Sequence, residues 1–181
     1  MPSGLSEKAM VMWLLSLRGG LITYPRDFAF DQFSTNDIAY ITLASSLLKL
    51  KVSTRVVTKL TGGSGVPGSL SATRPLRLRG VTFVTDSVLL IADASKSQLM
   101  VADLARNKVT YICDGRSKMR NGNICTCSLN APYSVLAMSW SVYIGEFVNI
   151  RRVSLKAIND LIWPADVKGR DFYFNQIIFK E

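Results

Sequence analysis

The sequence contains no histidine. Imidazole is the commonest general base near neutral pH and the commonest transition-metal ligand, so triads and histidine-based metal sites are excluded. Cysteine is scarce: Cys113, Cys125 and Cys127 are the whole complement, too few for a four-thiolate zinc site. One disulfide from Cys113 to either Cys125 or Cys127 would close a loop of about a dozen residues, with three free thiols as the alternative. No run of ~18 apolar residues occurs, so no segment has the length to cross a membrane as a helix. Long amphipathic helices are missing too. The one candidate, Leu155 to Ile162, is brief, and a doubly wound α/β fold would lack its crossover helices.

Two further absences bear on chemistry. The glycine-rich stretch from Thr61 to Pro75 has no Gly-Lys-Ser or Gly-Lys-Thr at its end and no helix after it, so it reads as a linker rather than a phosphate loop. The Gly-Gly-Ser-Gly around Ser64 is no strained nucleophile elbow, and no base accompanies it. Catalytic residues, a cofactor and a metal ion are therefore not expected.

What is present is a chain of 181 residues, 48% apolar, which is enough for one domain with a substantial core. Its formal charge of +9 arises from 22 Lys plus Arg against 13 Asp plus Glu, a balance that favours anionic partners. The densest basic groups are Arg74, Arg77 and Arg79, then Arg116, Lys118 and Arg120, then Arg151 and Arg152. In residues 1–23, Lys8 precedes the apolar stretch Ala9 to Leu17. That stretch fits an outer strand of a preceding unit, with a leader segment as the alternative.

Self-comparison reveals an internal repeat. Pro25-Arg26-Asp27-Phe28, Leu78-Arg79-Gly80-Val81, Pro132-Tyr133-Ser134-Val135 and Pro164-Ala165-Asp166-Val167 each place a large apolar residue three positions after a turn-favouring start. A second apolar strand follows at Ile38 to Ile41, Leu89 to Ala92, Val142 to Ile144 and Phe172 to Phe174. A third follows a polar turn at Ser46 to Leu50, Gln98 to Val101 and Asn149 to Val153. Val57 to Gly63 and Val109 to Gly115 supply a fourth. Short segments of this kind, separated by Gly, Asn, Asp and Ser, are what a four-stranded antiparallel sheet requires. Asp93 and Glu146 fall at matching positions after the second strand, where a carboxylate can bond the next turn's N–H groups. Tyr40, Tyr143 and Tyr173 also recur at one position, as core residues or, less expectedly, as a stacking surface.

The ordered set resembles the NHL repeat: Pro-x-x-apolar, apolar-Tyr-apolar-x-acid, a polar turn, an Ile-Arg-like strand, then Val-Thr-x-apolar-x-Gly. The copies are 24–63, 78–115, 129–155 and a partial 162–181. The third has no Val-Thr-x-apolar-x-Gly strand before Pro164, and the first has Leu43 near the acid's place. The resemblance implies an all-β fold, a partial β-propeller of about three to four NHL-like four-stranded antiparallel blades within 24–181. Propellers close with about four to eight blades, so it further implies a protein partner or self-association to complete the ring. The function implied is a non-catalytic protein-interaction scaffold. An RNA-binding propeller with a basic face is the alternative, and a fragment of a propeller hydrolase or lyase without its catalytic residues comes third. The expected binding residues are Arg79, Arg116, Lys118, Arg120, Arg151 and Arg152. The cysteine cluster favours a secreted or cell-surface setting over a cytoplasmic one.

Overall fold

The computed structural model describes residues 22, 24–31, 33, 37–62, 68–75, 77–116, 120–122, 127–138 and 141–154, with the backbone of 175–177. Leu155 to Ile162, residues 8–17, Ser64, Lys118, Cys125 and Tyr173 lie outside that set.

The described chain is all-β: three four-stranded antiparallel sheets, each a simple meander. The first holds β1 (Asp27–Phe30), β2 (Ile38–Thr42), β3 (Leu47–Lys51) and β4 (Val56–Lys59). The second holds β5 (Leu78–Phe83), β6 (Val88–Asp93), β7 (Gln98–Asp103) and β8 (Lys108–Ile112). The third holds β9 (Ser134–Met138), β10 (Ser141–Gly145), β11 (Ile150–Ser154) and β12 (Asn175–Ile177). The last strand alters the sequence reading. Residues 175–177 pair with Ile150 to Arg152 as the outer strand of the third sheet, so the strand that 129–155 lacks comes from the segment read as a partial fourth copy. A strand needs only a free edge, and the edge of β11 accepts it without the Val-Thr-x-apolar-x-Gly pattern.

Tight hairpins set the register. The turns Val52–Arg55, Ala94–Ser97 and Leu104–Asn107 end on residues with positive φ: Arg55 at 58°, Ser97 at 53° and Asn107 at 52°. Asp93 Oδ1 accepts bonds from the N–H groups of Ser95 and Lys96, and Asp103 Oδ1 from that of Arg106. A carboxylate at the turn's first position thus satisfies donors that the strand ladder cannot reach.

Neighbouring sheets stack through their first strands: β5 lies beside both β1 and β9. Between the first and second sheets, Tyr40, Leu47, Val81, Leu89, Ile91 and Met100 form one apolar layer. Between the second and third, Leu90, Leu99, Val101, Val142, Ile144 and Val153 form another. Strand β6, Val-Leu-Leu-Ile-Ala-Asp, is buried on both faces, which is why it reads as an unbroken apolar run instead of an alternation. Each fully buried Leu, Ile or Val contributes roughly 1.5–3 kcal/mol.

The first strands approach so closely that one position demands glycine. A Cβ on Gly80 would sit 2.7 Å from Ser134 Cα and from Val135 N, while the Gly80 N–H bonds the Tyr133 carbonyl at 2.8 Å. No helix occurs among the described residues, and none there is long and apolar enough to cross a membrane.

Candidate functional site

The register fixes which residues share an end of the stack. Asp27 pairs with Thr42 and Thr42 with Leu47; Leu78 pairs with Asp93 and Asp93 with Gln98; Ser134 pairs with Gly145. The starts of β1, β5 and β9 therefore lie at one end with the turns between second and third strands. Bonds across the sheets align these starts. The Leu78 N–H donates to Ala44 O at 2.9 Å, Thr42 Oγ1 to Arg79 O at 2.6 Å and the Val81 N–H to Asp27 Oδ2 at 2.9 Å.

This end is built around a loop leaving β8. Cys113 and Cys127 are joined in a disulfide, with Cα atoms 4.8 Å apart, which settles one partner of Cys113. Below that bridge the neck is closed by the Asp114 N–H on Cys127 O, the Ser128 hydroxyl on Asp114 Oδ1 at 2.6 Å, and a two-way bridge between Arg120 and Ser128. The Ser128 hydroxyl, the Arg116 N–H and nearby cations hold the Asp114 carboxyl below its ordinary pKa.

Arg151 braces the same neck from the third sheet. It is 1% exposed, and its guanidinium donates to Ser128 O, to Arg120 O at 2.7 Å and to Asn121 Oδ1 at 3.0 Å. Glu146 Oε1 stands 3.7 Å from it and also accepts the Asn130 N–H at 2.7 Å. Burial pushes the Glu146 carboxyl up and the Arg151 guanidinium down, each partly offset by the other's charge. Glu146 therefore departs from its counterpart Asp93: it reaches across to the loop base instead of bonding its own turn.

The expected binding residues divide accordingly. Arg116 and Arg120 are exposed on the loop, and Arg116 Nε lies 3.8 Å from Asp114 Oδ2. Arg79 is half-buried at the start of β5, its guanidinium carbon 5.6 Å from the centre of the Tyr133 ring. Arg151 is a buried brace and is not available to a partner. Arg152 projects from the opposite face of its sheet, beside Tyr143, away from the others.

Other residues join the surface. Arg26 and Arg77 are exposed beside the strand starts, and Phe147, 71% exposed, sits 6.5 Å from Tyr133. Arg77 belongs to a basic group visible in the sequence, but Phe147 carries no signal beyond being apolar in a turn. Among the described residues the carboxylates at this end are engaged: Asp27 with Val81 and Phe28, Asp93 with Ser95 and Lys96, Asp114 with Ser128 and Arg116, Glu146 with Asn130 and Arg151. The outcome is a cationic surface with aromatic rings in it. Among the described residues no three of Cys, Asp and Glu gather closely enough to hold a metal ion.

The fold has a solved counterpart. A structural-genomics protein of unknown function from Bacteroides thetaiotaomicron VPI-5482 is similar with a TM-score of 0.57 and 13% sequence identity, over 84% of this chain and 35% of that one. The chain thus spans about a third of that neighbour's length. No protein-family model matches the sequence, and no curated protein matches it. At this identity the likeness concerns the fold alone, so the functional reading rests on the surface just described.

Proposed function

We propose that the chain is a non-catalytic segment of an NHL-type β-propeller that works as an interaction scaffold, binding an acidic protein surface at its first-strand end. The observation that carries the reading is the asymmetry of bonding there: among the described residues the carboxylates bond loops and strand starts, while Arg26, Arg77 and Arg120 face solvent and Arg116 is exposed beside Asp114. A partner's carboxylates would meet cations with little competition from this chain's own acids. Three meanders of equal strand order, stacked through their first strands, support the propeller part of the reading.

Tyr133 and Phe147 beside Arg79 favour a second reading, single-stranded RNA stacked on the rings. The buried disulfide under the loop favours the protein partner, because such bonds persist in oxidising compartments.

Fluorescence anisotropy with a labelled poly-glutamate peptide and an oligo-uridine of equal charge, each over a salt series, tests this. Peptide binding at low salt, weakened about tenfold by Arg116→Ser with Arg120→Ser, is the expected result. Tighter binding of the oligonucleotide would move the assignment to RNA, and absence of both interactions would end the proposal.

A further inference from the structure

The two faces of each sheet are used in a fixed sequence. Tyr40 in the first sheet and Leu90 in the second occupy the same repeat position and point toward the following sheet. Tyr40 is buried edge-on against Phe83, ring centres 5.5 Å apart, and Leu90 lies in the layer shared with the third sheet. Tyr143 holds that position in the third sheet. Cross-strand pairing sets Leu136 and Arg152 beside it, with Met138 and Ile150 at the corners of the same face. Leu136 is 52% exposed and Met138 57%, and Ile150 is exposed as well. The face that buries the core in two sheets is open in the third.

We propose that this open face is the contact between two copies of the chain, paired face to face about a twofold axis. Continuity with the internal interfaces supports a sheet as the occupant, since the same face of the first two sheets is covered by a sheet. The opposite face of the first sheet is closed: Ile41, Leu48 and Leu50 are fully buried, so head-to-tail stacking of copies has no free acceptor. Between these two arrangements of copies the symmetric pairing is favoured, and it is also the commonest among homo-oligomers. A twofold axis running along β10 sets each β11 over the partner's β9, which separates the two Arg152 side chains and lays each over the apolar Leu136 and Met138 row.

Size limits the strength of such a contact. Strands of five residues extend ~17 Å and neighbours lie ~4.8 Å apart, so the face covers on the order of 200–300 Å², against ~800 Å² per partner in a stable complex. The dimer is accordingly weak, well short of a standard-size complex.

Sedimentation velocity on the full chain from about 1 to about 300 µM tests the proposal. The weight-average mass rises toward twice the monomer value, and Leu136→Lys with Met138→Lys weakens association at least ~10-fold. Both positions are exposed, so circular dichroism of that variant matches the parent. Val56→Lys, an exposed change on the first sheet, leaves the mass curve in place, as does the loop variant Arg116→Ser with Arg120→Ser. A parent chain that stays monomeric up to about 300 µM, or a double-lysine variant that associates like the parent, overturns it.

Discussion

At the end where the first strands begin, Asp27, Asp93, Asp114 and Glu146 all accept bonds that hold loops or strand starts in place. At the far end, Asp37 bonds Ser53 in an exposed turn, Asp86 bonds the adjacent Ser87, and Asp103 pairs with Arg106, with Lys51 and Lys108 exposed nearby. Acids and cations balance locally at the far end. At the first-strand end the described acids bond loops and strand starts, while Arg26, Arg77 and Arg120 stay exposed and Arg116 lies beside Asp114. The difference teaches that a net charge becomes a surface only where the fold takes one sign out of solvent.

The largest break in that contrast comes from Arg151. Arg151→Ala leaves Glu146 buried without its counter-charge and strips donors from three acceptors, a loss of about 3–5 kcal/mol measured by urea unfolding. The comparable change at the far end, Arg106→Ala, removes a side chain that is 55% exposed and costs no more than about 1 kcal/mol. Equal losses for the two would refute the contrast.

Reduction of Cys113–Cys127, or Cys127→Ser, lowers stability by about 2–3 kcal/mol because the unfolded chain regains the freedom of a closed loop. Thermal melts with and without reductant check it. Gly80→Ala sharpens the view of the strand starts: its Cβ meets backbone atoms of Ser134 and Val135, so β5 and β9 must separate at a cost of about 1–3 kcal/mol. Denaturation midpoints of Gly80→Ala and of the open position Gly68→Ala, where a Cβ meets nothing within 4 Å, separate crowding from backbone conformation.

The smallest expected effect is in pH. Asp114 has a lowered pKa when folded, through Ser128 and the Arg116 N–H, so its contribution is present above the ordinary value of 3.8 and lost as pH falls through the folded value. Glu146, raised by burial, has the opposite sign: its contribution is full below its ordinary 4.5 and fades as pH rises through the folded value. Melting temperatures of Asp114→Asn fall less steeply on acidification than those of the parent. A parallel pair of curves would show that Asp114 does not hold the loop.

Much of the fold was legible as pattern. The apolar clusters at 38–41, 89–92 and 142–144 are second strands: burial on both faces makes the first two continuous apolar runs, and burial on one face makes the third alternate. The final strand was not. Nothing in Asn175–Ile177 names its partner, since backbone pairing to the free edge of β11 is indifferent to side chains. The candidate surface was half legible: Arg79, Arg116 and Arg120 could be named from charge, whereas Arg151 and Arg152, adjacent in sequence, point to opposite faces of one strand, and strand register alone separates brace from surface.

By itself the sequence determined the repeated strand pattern, the excess of positive charge and the lack of imidazole chemistry, all of which follow from residue type and local spacing. The tertiary structure decided which cysteine closes the loop, which arginine is buried, which acids are withdrawn from solvent and which sheet face stays open. Those outcomes depend on distances between residues far apart in the chain, which only the packing of one sheet on the next can fix.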